Sequence, residues 1–350
     1  MIPSPSTPAL MVDLDVFDAN VAAMKALLRG TGKTVRPHVK THRTPELAKR
    51  QLGESARGVT CATVGEAEAM VAAGIEDVLI ANEVVEDAKL ERIVQLAQQA
   101  TIAIAADDPA PVEALSQKAA RAGVTLGVLI DVDVLLHRCG VGSIPEALAL
   151  ARTIEASPGL RLDGIMGYEG RVRLGTENRA SRIAGAYGIL KEARDALIDA
   201  GHHVRVVSAA GTSTLREAIA DPAITEIQAG VYALMEPELL VMDLPFRCAV
   251  TVRGTVISRH PNRFVADVGR RVVGVEYGPP VPVGLEVTHI ALSDEHATVN
   301  VPGDPPPLGS MVEFIPGQIR TTFNLHDYVW VSRGGTLVDC WPVSARGGSQ

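Results

Sequence analysis

The sequence predicts an α/β protein: a (β/α)8 barrel followed by an all-β domain. Two observations carry that prediction. Between about residues 33 and 240, short apolar runs alternate eight times with Ala/Leu/Glu-rich amphipathic stretches, and several of those stretches stop at a glycine placed as a helix C-cap. Beyond about residue 245 the helical texture gives way to alternating runs separated by Gly/Pro turns. A doubly wound open sheet is the alternative. It has fewer strands as a rule and a Gly-rich first turn, which is absent here.

The opening "TPALMVDLDVFDANVAAMKALL" reads as a strand then a helix, and the strand is a candidate to pair with the C-terminal β domain. The eight apolar runs are "TVRPHVKT", "GVTCAT", "DVLIAN", "TIAIAA", "TLGVLIDVD", "LDGIMGYEG", "VRVVSAAG" and "ITEIQAGVYALM". Eight strand–helix units are what a closed parallel barrel requires. The β runs include "CAVTVRGTVISRH", "RFVADVG", "HATVNV", "DYVWVSRGG" and "TLVDCWPV". The expected boundaries are 15–240 for the barrel, with 1–14 plus 241–350 forming the β domain.

Composition narrows the function. The 350 residues are 47% hydrophobic and 21% charged, with a net charge of −8, which disfavours a nucleic-acid partner. No apolar run has the roughly eighteen residues of a membrane span, and "MIPSPSTPAL" lacks the basic start and apolar core of a secretion signal. The four cysteines are scattered without a C-x-x-C pair, against a disulfide framework or zinc cluster. The expectation is a cytoplasmic protein without a membrane partner.

In a barrel of this kind chemistry gathers at the C-terminal strand ends. Those ends hold His38, Lys40 and His42, then "DVDVLLHRCG" with Arg138, "GYEGR" with Tyr168 and Arg171, "SAAGTST" with Gly211, Thr212 and Ser213, and "QAGVY" with Gly230 and Tyr232. In "TVRPHVKTHR", period-two alternation puts Arg36, His38, Lys40 and His42 on one face, directed into the barrel mouth. Neighbouring cations there would favour a neutral Lys40 amine. "SAAGTSTLREAI" runs from strand into helix, so its N–H groups can cradle a phosphate. A strand-end lysine, a phosphate cup and an arginine between them suit pyridoxal 5'-phosphate (PLP), whose aldehyde takes a lysine imine. Each piece alone has a plainer reading: a surface cation, a helix cap, half of an ion pair.

The motif "RPHVKTHRTPELA" resembles the lysine motif of the D-threonine aldolase and D-serine dehydratase-like PLP enzymes, within the alanine-racemase-like group. The other barrel motifs follow in that family's order, and "TFNLHDYVWVSRGGTLVDCWPVSARG" resembles its C-terminal domain. The resemblance implies that Lys40 carries the imine and Arg138 sits beside the cofactor's phenolic oxygen. It implies that Tyr168 lies against or hydrogen-bonds the pyridine ring, while Gly211, Thr212, Ser213, Gly230 and Tyr232 hold the phosphate. It also implies a homodimer with shared sites and a small amino-acid substrate. His42 is the expected base; the plainer alternative is that it only supports a neighbouring group.

One stretch departs from the family. Where relatives place two ligands of a divalent metal, "FIPGQIRTTFNLHD" has Gln318 and Arg320, a poor ligand and a fixed cation. On a strand, His326 and Asp327 would face opposite ways and leave the site unrestored. The expectation is therefore no metal, with Arg171, Gln318 and Arg320 turned toward substrate. The expected reaction is Cα–Cβ cleavage of a D-β-hydroxy amino acid, in the aldolase or transaldolase sense. Alternatives are a racemase or D-serine-type dehydratase, and a non-catalytic PLP-binding protein.

Overall fold

The structure is a computed structural model describing residues 4–170, 172 and 174–350. Contacts divide the chain into two compact units. One comprises the residues through Ala26, with Thr41–Arg50 and Val231–Gly347; the other comprises Leu27–Lys40, Gln51–Gly230 and Gly348–Gln350.

In chain order, β1 (Ala9–Asp13) and α1 (Leu14–Leu28) come first. The parallel strands follow: β2 (Thr34–Val35), β3 (Val59–Cys61), β4 (Asp77–Ile80), β5 (Thr101–Ala106), β6 (Leu126–Asp131), β7 (Leu160–Met166), β8 (Val206–Ala209) and β9 (Glu226–Ile227). The helices after them are α2 (Pro45–Gln51), α3 (Val64–Ala72), α4 (Asp87–Leu96), α5 (Pro109–Ala122), α6 (Ile144–Ala156), α7 (Arg179–Asp199) and α8 (Leu215–Ala220). The strands run in the order β2–β9–β8–β7–β6–β5–β4–β3. A parallel bridge between His38 and Thr60 brings the two ends of that order together, the Thr60 N–H donating to Pro37 O at 2.9 Å. All eight predicted runs contribute a strand.

The local causes are legible. Asp108 caps α5 by accepting from the Ala110 N–H at 2.8 Å, Pro109 opens it, and left-handed Gly123 closes it. Thr63 caps α3 by accepting from the Glu66 N–H, and the Glu66 carboxylate reaches back to the Ala62 N–H at 2.7 Å. Every residue of β6 is buried, as expected of a parallel strand covered on both faces. Leu79, Ala105, Leu129 and Met166, from four successive strands, form one packed cluster of the core.

The other unit continues with β10 (Val250–His260), β11 (Arg263–Ala266), β12 (Val281–Pro282), β13 (His289–Leu292), β14 (Ala297–Asn300), β15 (Met311–Ile315), α9 (Ile319–Leu325), β16 (Tyr328–Arg333) and β17 (Thr336–Pro342). Its sheet runs β13–β14–β11–β10–β1–β16–β17, with β15 also on β10 and β12 on β15. As expected, β1 joins this sheet, antiparallel to β10 and parallel to β16. The sheet domain is as expected, and one short helix, α9, lies among its C-terminal strands. The Gln318 side chain caps it by accepting from the Thr321 N–H at 3.1 Å, and Ile319, Thr322 and Phe323 are buried at helical spacing.

Candidate active site

Within the barrel unit, Lys40 lies just past the C-terminal end of β2, in a short 3-10 turn (Val39–Thr41). Strand alternation therefore stops before the lysine. Its Nζ sits over the Tyr168 ring, 5.7 Å from the centroid. Tyr168 follows β7 and is 37% exposed. A methyl group placed on Gly211 would meet the same ring at 3.6 Å (Cε2) and its hydroxyl at 3.7 Å. The lysine amine and the Gly211 turn thus converge on one aromatic ring. Gly170 makes room for it: a methyl there would stand 2.3 Å from Tyr168 Cε1.

The turn after β8 is built as a cradle. Gly211 is followed by a 3-10 turn (Thr212–Thr214) that runs into α8. The Gly211 N–H donates to Thr214 Oγ1 at 3.1 Å, and Ala210 is left-handed at φ 71°. Gly230 is buried past the end of β9. Arg138 is exposed in the segment after β6 and offsets the charge of Asp131, the last residue of that strand. A cation, a flat phenol and a turn of N–H and hydroxyl groups on neighbouring strand ends fit a phosphorylated aromatic aldehyde.

Arg36 does not stand in this group, contrary to the expectation of four basic residues in the mouth. Its Nη1 bonds Asp77 Oδ1 at 2.7 Å and its Nε bonds Glu226 Oε2 at 2.9 Å. Asp77 and Glu226 are the first residues of β4 and β9, at the N-terminal end of the barrel. Ser208 Oγ donates to the second Glu226 oxygen at 2.7 Å, so this cation is neutralised inside a polar layer. His38 is 7% exposed and stays in the barrel unit.

His42, Tyr232, Gln318 and Arg320 belong to the other unit. His42 is fully buried; its Nδ1 accepts the Thr44 N–H at 3.1 Å and its ring meets Phe323 edge-on. Tyr232 is fully buried against Phe246. Gln318 is the cap of α9. Arg320 donates to the Tyr277 hydroxyl at 2.7 Å and eases the burial of Glu236, whose pKa burial raises. His326 follows α9 rather than lying on a strand, and its Nε2 bonds Val272 O at 2.8 Å. Arg171 lies outside the described residues.

Sequence reasoning passed over two clusters. Glu169, beside Tyr168, accepts from the Thr214 hydroxyl, and Arg179 donates to Ser213 O. Glu83, Asp107 and Cys139, from three strand ends, bring their side-chain ligand atoms within 4.8 Å of one another. Burial first, and Glu83 second, push Asp131 up to about 8. Burial and then Glu83 push the Cys139 thiol up to about 11. Acidic residues on separate strand ends carry no spacing signal in sequence.

Among the described residues, no helix is long and apolar enough to cross a membrane. Residues 12–236 match the family model "Alanine racemase, N-terminal domain", and residues 249–332 match "Putative serine dehydratase domain". The chain is 38% identical to the D-threonine aldolase of Arthrobacter sp. over 98% of its own length and 93% of the relative's. It is 32% identical to the 3-hydroxy-D-aspartate aldolase of Paracoccus denitrificans (strain Pd 1222), over 97% and 92% of the two chains. The crystal structure of D-threonine aldolase from Filomicrobium marinum superposes with a TM-score of 0.94 at 34% identity, covering 99% of this chain and 97% of that one. Fold, lysine turn and these likenesses agree, and the chain belongs to the alanine-racemase-like family, on its D-threonine aldolase-like branch of PLP-dependent lyases.

Proposed function

We propose that this enzyme cleaves the Cα–Cβ bond of a D-β-hydroxy amino acid, in the aldolase or transaldolase sense, without the divalent metal that the family resemblance implies. The observation that carries the reading is the convergence of Lys40 and the Gly211 turn on Tyr168. When bound, PLP supplies an aldehyde for covalent attachment to Lys40 and an electron sink for the charge left at Cα. Tyr168 offers the ring a flat face and a phenol. Thr212 and Ser213 offer N–H and hydroxyl donors to the phosphate, and Arg138 a positive charge near the ring's oxygen.

Two geometries bear on proton handling and on the metal. Because His42 Nδ1 accepts a backbone N–H, the neutral ring carries its proton on Nε2. With Nδ1 taken by the Thr44 N–H and the ring fully buried, His42 is poorly placed to act as the base, and His38 becomes the better candidate. Gln318 is occupied as a helix cap, and Arg320 brings a fixed cation suited to a substrate carboxylate.

Dehydration is the second reading. A relative 32% identical over 75% of this chain is named D-threo-3-hydroxyaspartate dehydratase, from Delftia sp. (strain HT23). One assay separates the two. Purified protein with PLP is given D-threonine, D-phenylserine or D-3-hydroxyaspartate, with and without chelator. We expect glycine and an aldehyde, at rates unchanged by chelator and abolished by Lys40→Ala. Ammonia and a keto acid instead would establish the dehydratase. Loss of activity to chelator, with rescue by Mn²⁺, would overturn the metal-free reading. We also propose the homodimer that the resemblance implies; a light-scattering mass of one chain would contradict it.

A further inference from the structure

Glu169 is 3% exposed, yet nothing in the proposed chemistry uses it. Its Oε1 accepts from the Thr214 hydroxyl and, at 3.3 Å, from the Tyr187 hydroxyl on α7. The same Thr214 oxygen receives the Gly211 N–H at 3.1 Å. Its other oxygen, Oε2, is buried without a hydrogen-bond partner among the described residues, and Ala210, which opens the turn, is left-handed. A non-glycine residue in that conformation is strained and persists only where its surroundings hold it. On the turn's other side, Arg179 grips the Ser213 carbonyl and pairs with Glu217 at 2.5 Å.

We propose that Glu169 is a positioning residue for the phosphate turn, acting through Thr214 on Gly211. The inference rests on the PLP reading above. Glu169 is the chain neighbour of Tyr168, so one short segment sets both the ring-side phenol and the phosphate-side donors. Burial pushes the Glu169 pKa above the ordinary carboxylate value, which favours the neutral acid and limits its repulsion of an incoming phosphate.

The test compares PLP with pyridoxal, which has the ring and aldehyde but no phosphate. Binding of each is followed by absorbance titration. In Glu169→Ala, PLP affinity falls about ten-fold or more, the worth of a hydrogen bond to a charged group, while pyridoxal affinity stays within about two-fold. Glu169→Gln, which keeps an acceptor for Thr214, recovers most of the PLP affinity. Thr214→Val leaves the carboxylate in place and reproduces the PLP-selective loss, so the idea is testable even if Glu169→Ala does not fold. Equal losses for both compounds, or wild-type PLP binding by Thr214→Val, would overturn this inference alone. A wild-type protein that takes up neither compound would remove the PLP reading as well.

Discussion

Arg36 and Lys40 are four residues apart and have unlike surroundings. Arg36 is held between Asp77 and Glu226 with its side chain 16% exposed, and Lys40 faces an aromatic ring at the opposite strand ends. Removing one member of a largely buried ion pair strands the others and costs about 3–5 kcal/mol, a large part of a domain's stability. Arg36→Met should therefore lower the unfolding free energy from urea melts by that amount, and Arg36→Met with Glu226→Gln should regain part of it. A single variant as stable as wild type would show that the polar layer contributes nothing. The lysine was legible because a cation at a strand end beside a phosphate-type turn is a rare combination. Arg36 was misplaced because period two specifies the face of a strand but not the depth along the barrel. Glu169 escaped notice because a single acid after a tyrosine has no pattern until the fold brings Thr214 to it.

At the scale of elements, the strands and most helices announced themselves through caps and alternation, and α9 did not. Its seven residues are too few for a periodic signal, and the Gln318 cap is legible only in three dimensions. His326 closes that helix and yields a pH prediction. Burial holds its imidazole below the ordinary value of 6.5, with the Nε2–H given to Val272 O. The unfolded chain takes up a proton near that ordinary value and the folded chain only at lower pH. Between the two the unfolded state holds more protons, so stability is full above about pH 6.5 and is lost as pH falls. His326→Gln, whose amide can make the same bond, should flatten this part of the curve in urea melts from pH 5 to 8. An unchanged slope would assign the effect to other groups.

For the whole molecule, the repeat of eight strand–helix units made the barrel readable, and the change of texture near residue 245 made the antiparallel sheet readable. The contact units are less simple than a single cut, since Thr41–Arg50 groups with the sheet and Gly348–Gln350 with the barrel. Such returns depend on long-range packing that local composition does not encode. They also place Lys40 and Thr41, adjacent in sequence, in different units. The proposed chemistry depends on what the Lys40 amine does. Purified protein incubated with PLP, reduced with borohydride and digested, can be mapped by mass spectrometry. We predict a phosphopyridoxyl group on the peptide carrying Lys40 and on no other lysine at comparable yield. An unlabelled Lys40, or labelling spread over surface lysines, would contradict the account.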